Sequence, residues 1–110
     1  TYARCCGILE KAGSYGKDGA VTHPSEVDII KTLSLFPEKV EQARRDLEPS
    51  VISRYLLDVC QEFNRFYHDC PVLRAEDEKV RSTRLAIVEA TSVVLSNGLK
   101  LIGLKRPKNI

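Results

Sequence analysis

Tyr67, His68, Asp69 and Cys70 follow one another directly, with Asn64 three residues before the tyrosine and Pro71 closing the row. Three chemistries could use such a set. A histidine beside an aspartate, with a thiol next door, suggests an activated nucleophile. Successive residues of a helix, however, project about 100° apart and cannot converge on one point. His68 and Cys70 have only the beginnings of a zinc site; no second ligand pair follows, so no metal is expected. Tyr67 and Asn64 offer the third chemistry. Three apart, they are neighbours on a helix surface. A flat face with a hydroxyl beside an amide donor and acceptor can stack on an unpaired base and read it. The alternative is a core tyrosine whose hydroxyl is satisfied at the rim. Residue types by themselves favour that alternative.

All of these residues lie at the end of Arg54–Val72 (RYLLDVCQEFNRFYHDCPV). Ile52, Leu56, Val59, Phe63, Phe66 and Cys70 recur at steps of four and three, and Tyr55, Cys60 and Tyr67 widen the stripe. That is the helical period, and so wide a stripe packs against several neighbours. The spacing predicts a central helix that starts at Pro49 and must stop at Pro71, because proline disfavours α geometry in the residue before it. Its far end is the expected working edge.

Four further helices are expected to hold it. Thr1 to about Ala12 is the first, ended by Gly13. Gly13–Thr22 is a loop with three glycines but no phosphate-cradling pattern. Pro24, with Ser25, Glu26 and Asp28, suits a helix start. Pro37 divides the apolar run Ile29–Leu47 into helices at about 25–34 and 37–47, with a corner at Leu35–Phe36. The acids Glu76–Glu78 suit the N-terminus of a last helix rather than acid–base chemistry. Its two apolar rows are Val80, Ile87, Val94, Leu101 and Leu85, Val88, Leu95, Leu99, Ile102. Gly98 inside this run predicts a close helix contact, and Gly103 its end, with an extended tail beyond. There is no strand pattern and no repeat. The expected fold is an all-α bundle of about five helices.

A chain of 110 residues is one domain, 1–110, large enough for a core without staples. Hydrophobic content of 43% and charged content of 29% are those of an ordinary globular protein. The net charge of +2 does not announce a nucleic-acid binder. From Ala90 onward, though, Lys100, Lys105, Arg106 and Lys108 meet no acid, a weak cue for a polyanion. Cys5, Cys60 and Cys70 fall on apolar faces and no C-x-x-C pair occurs, which predicts buried, reduced thiols and a cytoplasmic setting. No segment is expected to span a membrane, and no signal peptide opens the chain. With no Met, and helical spacing from Tyr2 on, the chain is expected to be a domain of a longer polypeptide.

The strings SLFPEKVEQARRDLEP, SRYLLDVCQEFNRFYHDCPVL and RSTRLAIVEATSVVLSNGLKLIGLKRPKNI resemble the C-terminal anticodon-binding (DALR) domain of class I arginyl-tRNA synthetases. Motifs of the type L-x-x-F-P-x-x-V, F-N-x-F-Y, R-L-x-L/I and N-G-(L/M)-x-L-L-G occur in that order and at that spacing over nearly the whole chain.

The resemblance implies binding of tRNA(Arg) through its anticodon stem-loop. The parent would be an ATP- and Mg-dependent arginine–tRNA ligase, a monomer whose catalytic domain lies elsewhere in the same polypeptide. The H-I-G-H-type and K-M-S-K-type motifs of that core are absent here, so this domain itself needs no cofactor. The residues implied at the anticodon are Arg4, Tyr67, Pro71 and Ile110. Asn64 joins them as the neighbour of Tyr67. Tyr2 stands where the family has histidine, and Ile110 where it has methionine. Arg84, in the R-L-A-I match, can meet RNA phosphate or a helix-end carboxylate. Lys105, Arg106 and Lys108 are candidates for backbone contacts. A helical protein–protein interaction module is the alternative from another class.

Overall fold

The computed structural model describes residues 2–12, 23–70, 72 and 77–105. Five helices follow in order: α1 (Tyr2–Ala12), α2 (Pro24–Ser34), α3 (Phe36–Asp46), α4 (Pro49–Asp69) and α5 (Glu78–Lys105). No strand occurs among the described residues, and the expected all-α bundle is the fold found. The glycine-containing loop Gly13–Thr22 and the tail 106–110 lie outside the described residues.

Prolines place four of the boundaries. Pro24 and Pro49 each occupy the first helical position, where a missing N–H costs nothing. Glu48 and Cys70, each preceding a proline, adopt extended backbone (φ −121° and −125°), which starts α4 and stops it. Pro37 sits in the first turn of α3, and the corner is the single residue Leu35. At the other end of α3, Leu47 turns the chain in the left-handed region (φ 53°, ψ 40°), and the Glu48 N–H donates to the Ala43 carbonyl at 3.0 Å. A side chain with a Cβ is disfavoured there by roughly 1–2 kcal/mol.

The six α4 positions predicted to form the apolar stripe, Ile52, Leu56, Val59, Phe63, Phe66 and Cys70, are all buried. They serve two adjoining clusters. Phe63, Phe66 and Cys70 pack with Cys5 and Ile8 of α1, Ile29 of α2, and Leu85 and Val88 of α5. Ile52, Leu56 and Val59 pack with Val94 and Leu95, bordered by Phe36 and Val40 of α3. Tyr55 belongs to the second cluster. Its ring stacks on Phe36 at 6.0 Å and its hydroxyl donates to the Thr32 carbonyl at 2.6 Å. Burial pushes that phenol up to about 12.

Helix α5 departs from expectation in two ways. It runs through Gly103 to Lys105. A lone glycine costs a helix only about 1 kcal/mol and ends it only if the backbone turns left-handed; Gly103 keeps helical backbone in open space. By length and composition, Glu78–Gly103 is also apolar enough to cross a membrane, contrary to the sequence expectation. In the fold its Leu85, Ile87, Val88, Val94 and Leu95 are buried against the other helices, while Val93 and Leu99 are exposed. The thiols differ slightly as well. Cys5 and Cys70 are fully buried, Cys60 is half-buried and Cys6 is exposed, all four of them free.

The contact expected at Gly98 is present. A Cβ there would lie 2.6 Å from Cδ2 and 3.1 Å from Cγ of Leu56. Gly98→Ala gains about 1 kcal/mol of helix propensity and loses about 1–3 kcal/mol to overpacking. The net outcome expected in urea unfolding is a loss of about 1 kcal/mol. In a Leu56→Ala background the same substitution should turn stabilising; a loss in both backgrounds would exclude this contact as its cause.

Burial holds the Cys5 thiol up to about 11 and raises that of Cys70. Since the thiolate is the reactive species, a thiol reagent at pH 8 should label Cys6 first, Cys60 more slowly, and Cys5 and Cys70 only as the protein unfolds. Peptide mapping of a labelling time course checks the order.

Candidate nucleic-acid interface

Tyr67 is carried on the outer edge of the α4 stripe, one turn from its end. It is 41% exposed, whereas Phe63, one turn earlier, is fully buried. The two rings lie nearly parallel (18°) with centroids 6.2 Å apart. From α1, the Arg4 guanidinium carbon stands 4.8 Å from the centre of the Tyr67 ring. That is a cation–π distance. The tyrosine is thus packed along one side by a core phenylalanine and contacted by an arginine from another helix. The ring is held in place while part of its surface stays open. Asn64 is exposed beside it.

Of the residues expected at the site, Arg4, Asn64 and Tyr67 share this edge of α1 and α4. Pro71, Arg106, Lys108 and Ile110 lie outside the described residues. Lys105 is the last residue of α5.

Arg84 has a different setting. Its Nε donates to Glu26 Oε1 at 3.2 Å, and the two side chains are 11% and 0% exposed. Of the two partners the sequence allowed it, the helix-end carboxylate is the one it meets, because Glu26 lies in the first turn of α2.

A second polar group joins α2 to the end of α4. The His23 Nδ1 caps α2 by accepting from the Ser25 N–H at 3.0 Å. The Ser25 hydroxyl donates to Asp69 Oδ2 at 2.7 Å, and His68 Nδ1 meets Asp69 Oδ1 at 3.2 Å. These contacts hold the Asp69 carboxyl below its usual range, the serine contributing most and the histidine next. A hydrolytic triad would need the serine bonded to a histidine; here the hydroxyl is committed to the carboxylate. Among the described residues, no three side chains of metal-ligating type gather at one point.

Sequence reasoning did not foresee Ser25 or Glu26 as cross-links. The only local signal was their place beside Pro24, which marks a helix start and says nothing of partners 44 and 58 residues away.

The fold is a small helical bundle that carries a held aromatic and a cation at one exposed helix end. Residues 1–110 match the sequence model of the DALR anticodon binding domain, and the chain belongs to that family. It is 42% identical over its full length to an arginine–tRNA ligase of Alkaliphilus metalliredigens. It is 41% identical over 96% of its length to one of Methanococcus maripaludis, and 38% identical over its full length to one of Methanosarcina acetivorans. The chain covers 20%, 19% and 21% of those relatives, about a fifth of each.

The Arg84–Glu26 pair allows a direct test of the arginine's role. Arg84→Met leaves a buried carboxylate without its cation, and loss of one partner from such a pair typically costs about 3–5 kcal/mol. Chemical denaturation should show a loss of that order, while the folded fraction keeps the RNA affinity and salt dependence of the parent. If Arg84 instead bound phosphate, the log–log salt slope would flatten by roughly 0.7–0.9 with little change in stability.

Proposed function

We propose that this domain grips the anticodon stem-loop of tRNA(Arg) on behalf of an arginyl-tRNA synthetase, with Tyr67 as the platform for an unpaired base. The observation that supports the reading is the partly open Tyr67 ring, backed by Phe63 and contacted by Arg4; the resemblance implies an anticodon-binding role for the tyrosine of this F-Y pair. An exposed aromatic beside an arginine supplies stacking and charge together, the combination single-stranded RNA requires. Asn64 adds a donor and an acceptor beside the ring. Pro71 and Ile110 would complete the pocket. Lys105, Arg106 and Lys108 would meet the sugar–phosphate backbone, which positions RNA without reading its sequence.

In this reading the catalytic core, with its ATP and Mg, belongs to a larger monomeric, cytoplasmic polypeptide. This domain contributes tRNA recognition to the attachment of arginine.

One observation favours a protein contact as well. Tyr2, Leu56, Leu57, Cys60, Leu95 and Leu99 line a hollow of about 480 Å³ between α4 and α5, and Leu57 and Leu99 are exposed. Such a surface suits packing against another protein segment, and the catalytic domain of the same polypeptide is the partner the family implies.

Tyr67→Ala should cost about 1–3 kcal/mol of affinity for the anticodon stem-loop, the range of base–aromatic stacking. Tyr67→Phe keeps the ring and should cost less. Thermal melting beside RNA titration separates this from a packing effect. If Tyr67→Ala melts early yet binds normally when folded, the stacking role fails.

A further inference from the structure

We infer that His68 is a further RNA-contacting residue, an outward-facing hydrogen-bond acceptor whose imidazole is set in place by Asp69 and Ser25. The inference rests on the anticodon reading and adds a contact to it.

His68 side-chain exposure is 89%, so packing does not hold the ring; the Asp69 carboxylate does. An ionised carboxylate only accepts hydrogen bonds, so His68 Nδ1 must carry the hydrogen that it shares with Oδ1. In the neutral ring the other nitrogen, Nε2, is then a lone-pair acceptor, on the side of the ring away from the carboxylate. Asp69 can hold the ring because its second oxygen is tied by the Ser25 hydroxyl at 2.7 Å, and Ser25 is itself buried in the first turn of α2. The orientation of an exposed ring on α4 is thereby anchored to a different helix.

Position supplies the ligand. His68 lies four residues after Asn64 and directly after Tyr67, so Tyr67 and His68 flank Asn64 on the exposed side of α4. A nucleotide stacked on Tyr67 would carry two kinds of donor beyond the ring itself, the ribose 2′-hydroxyl and, on most bases, an exocyclic amine. Either suits a fixed nitrogen acceptor. Asn64 and Tyr67 can also accept a hydrogen bond; the His68 ring adds an acceptor whose direction Asp69 sets.

The test uses the full-length synthetase that carries this domain and a tRNA(Arg) anticodon stem-loop. Loop nucleotides are replaced one at a time, either by their 2′-deoxy forms or by bases lacking the exocyclic amine. His68→Ala should weaken binding about three- to tenfold, the range of one neutral hydrogen bond, with an unchanged melting temperature. One RNA substitution should weaken the parent protein's binding by a similar factor and have no effect on His68→Ala, because the partner is already gone. A 2′-deoxy hit assigns the ribose; an amine hit assigns the base. Ser25→Ala, which removes the hydroxyl's bond to Asp69, should cost about twofold in the parent and nothing in the His68→Ala background.

Binding by His68→Ala equal to the parent's overturns the inference. So does a loop in which every substitution costs both proteins equally. Tyr67→Ala serves as the control: if it loses affinity while His68→Ala does not, the anticodon reading stands and only the histidine contact falls. If neither variant loses affinity, both fall.

Discussion

Helices α4 and α5 approach so closely at Gly98 that the space of a Cβ is taken by the Leu56 side chain, and the remaining helices pack around this pair. Two long helices held together there can share a core on both sides of the crossing. Ile52, Leu56 and Val59 meet Val94 and Leu95 on one side, and Phe63 and Phe66 meet Leu85 and Val88 on the other. Helix α1 adds Cys5 and Ile8 to the cluster of Phe63 and Phe66, which brings Arg4 of the same helix to the Tyr67 ring. The Arg4–Tyr67 contact is therefore placed by core packing several residues away. Neither Arg4 nor Tyr67 creates it alone.

Polar cross-links finish what apolar packing begins. Apolar contact has no direction and tolerates small slips of one helix along another. The Arg84–Glu26 and Ser25–Asp69 contacts do not, because a slip would strand a buried charge or a committed hydroxyl. Both use the first turn of α2, whose amide hydrogens already favour negative charge nearby. A fully buried ion pair adds little net stability compared with a well-packed apolar pair. What the pair does show is a directional tie between the first turn of α2 and α5.

The long stripe of α4 was legible in the sequence because one face serves several neighbours, and a period of 3.6 survives such use. The same periodicity placed Tyr67 and Cys60 on the stripe's margin but could not give their depth, which depends on how far α1 and α5 reach around. Pre-proline geometry gave both ends of α4 for a local steric reason. Gly103 misled, since the residue permits a turn without requiring one. Nothing local marks Leu47 as left-handed. For Arg84, composition left phosphate and carboxylate equally open; only the fold brings Glu26 across 58 residues to decide. Asn64 and Tyr67 were legible as neighbours. That a ring from the core and a guanidinium from α1 would hold the tyrosine was not.

Helix α5 has 28 residues and no proline, a length of about 42 Å at 1.5 Å per residue, and the longest dimension of the domain is 45 Å. One continuous rod thus runs from end to end. An α-helix without a break resists bending over a few turns, so a displacement imposed at its N-terminal end, near Leu85 and the aromatic cluster, arrives almost undiminished beyond Leu101. Along its long axis the domain therefore has the stiffness of a lever rather than the give of a cushion.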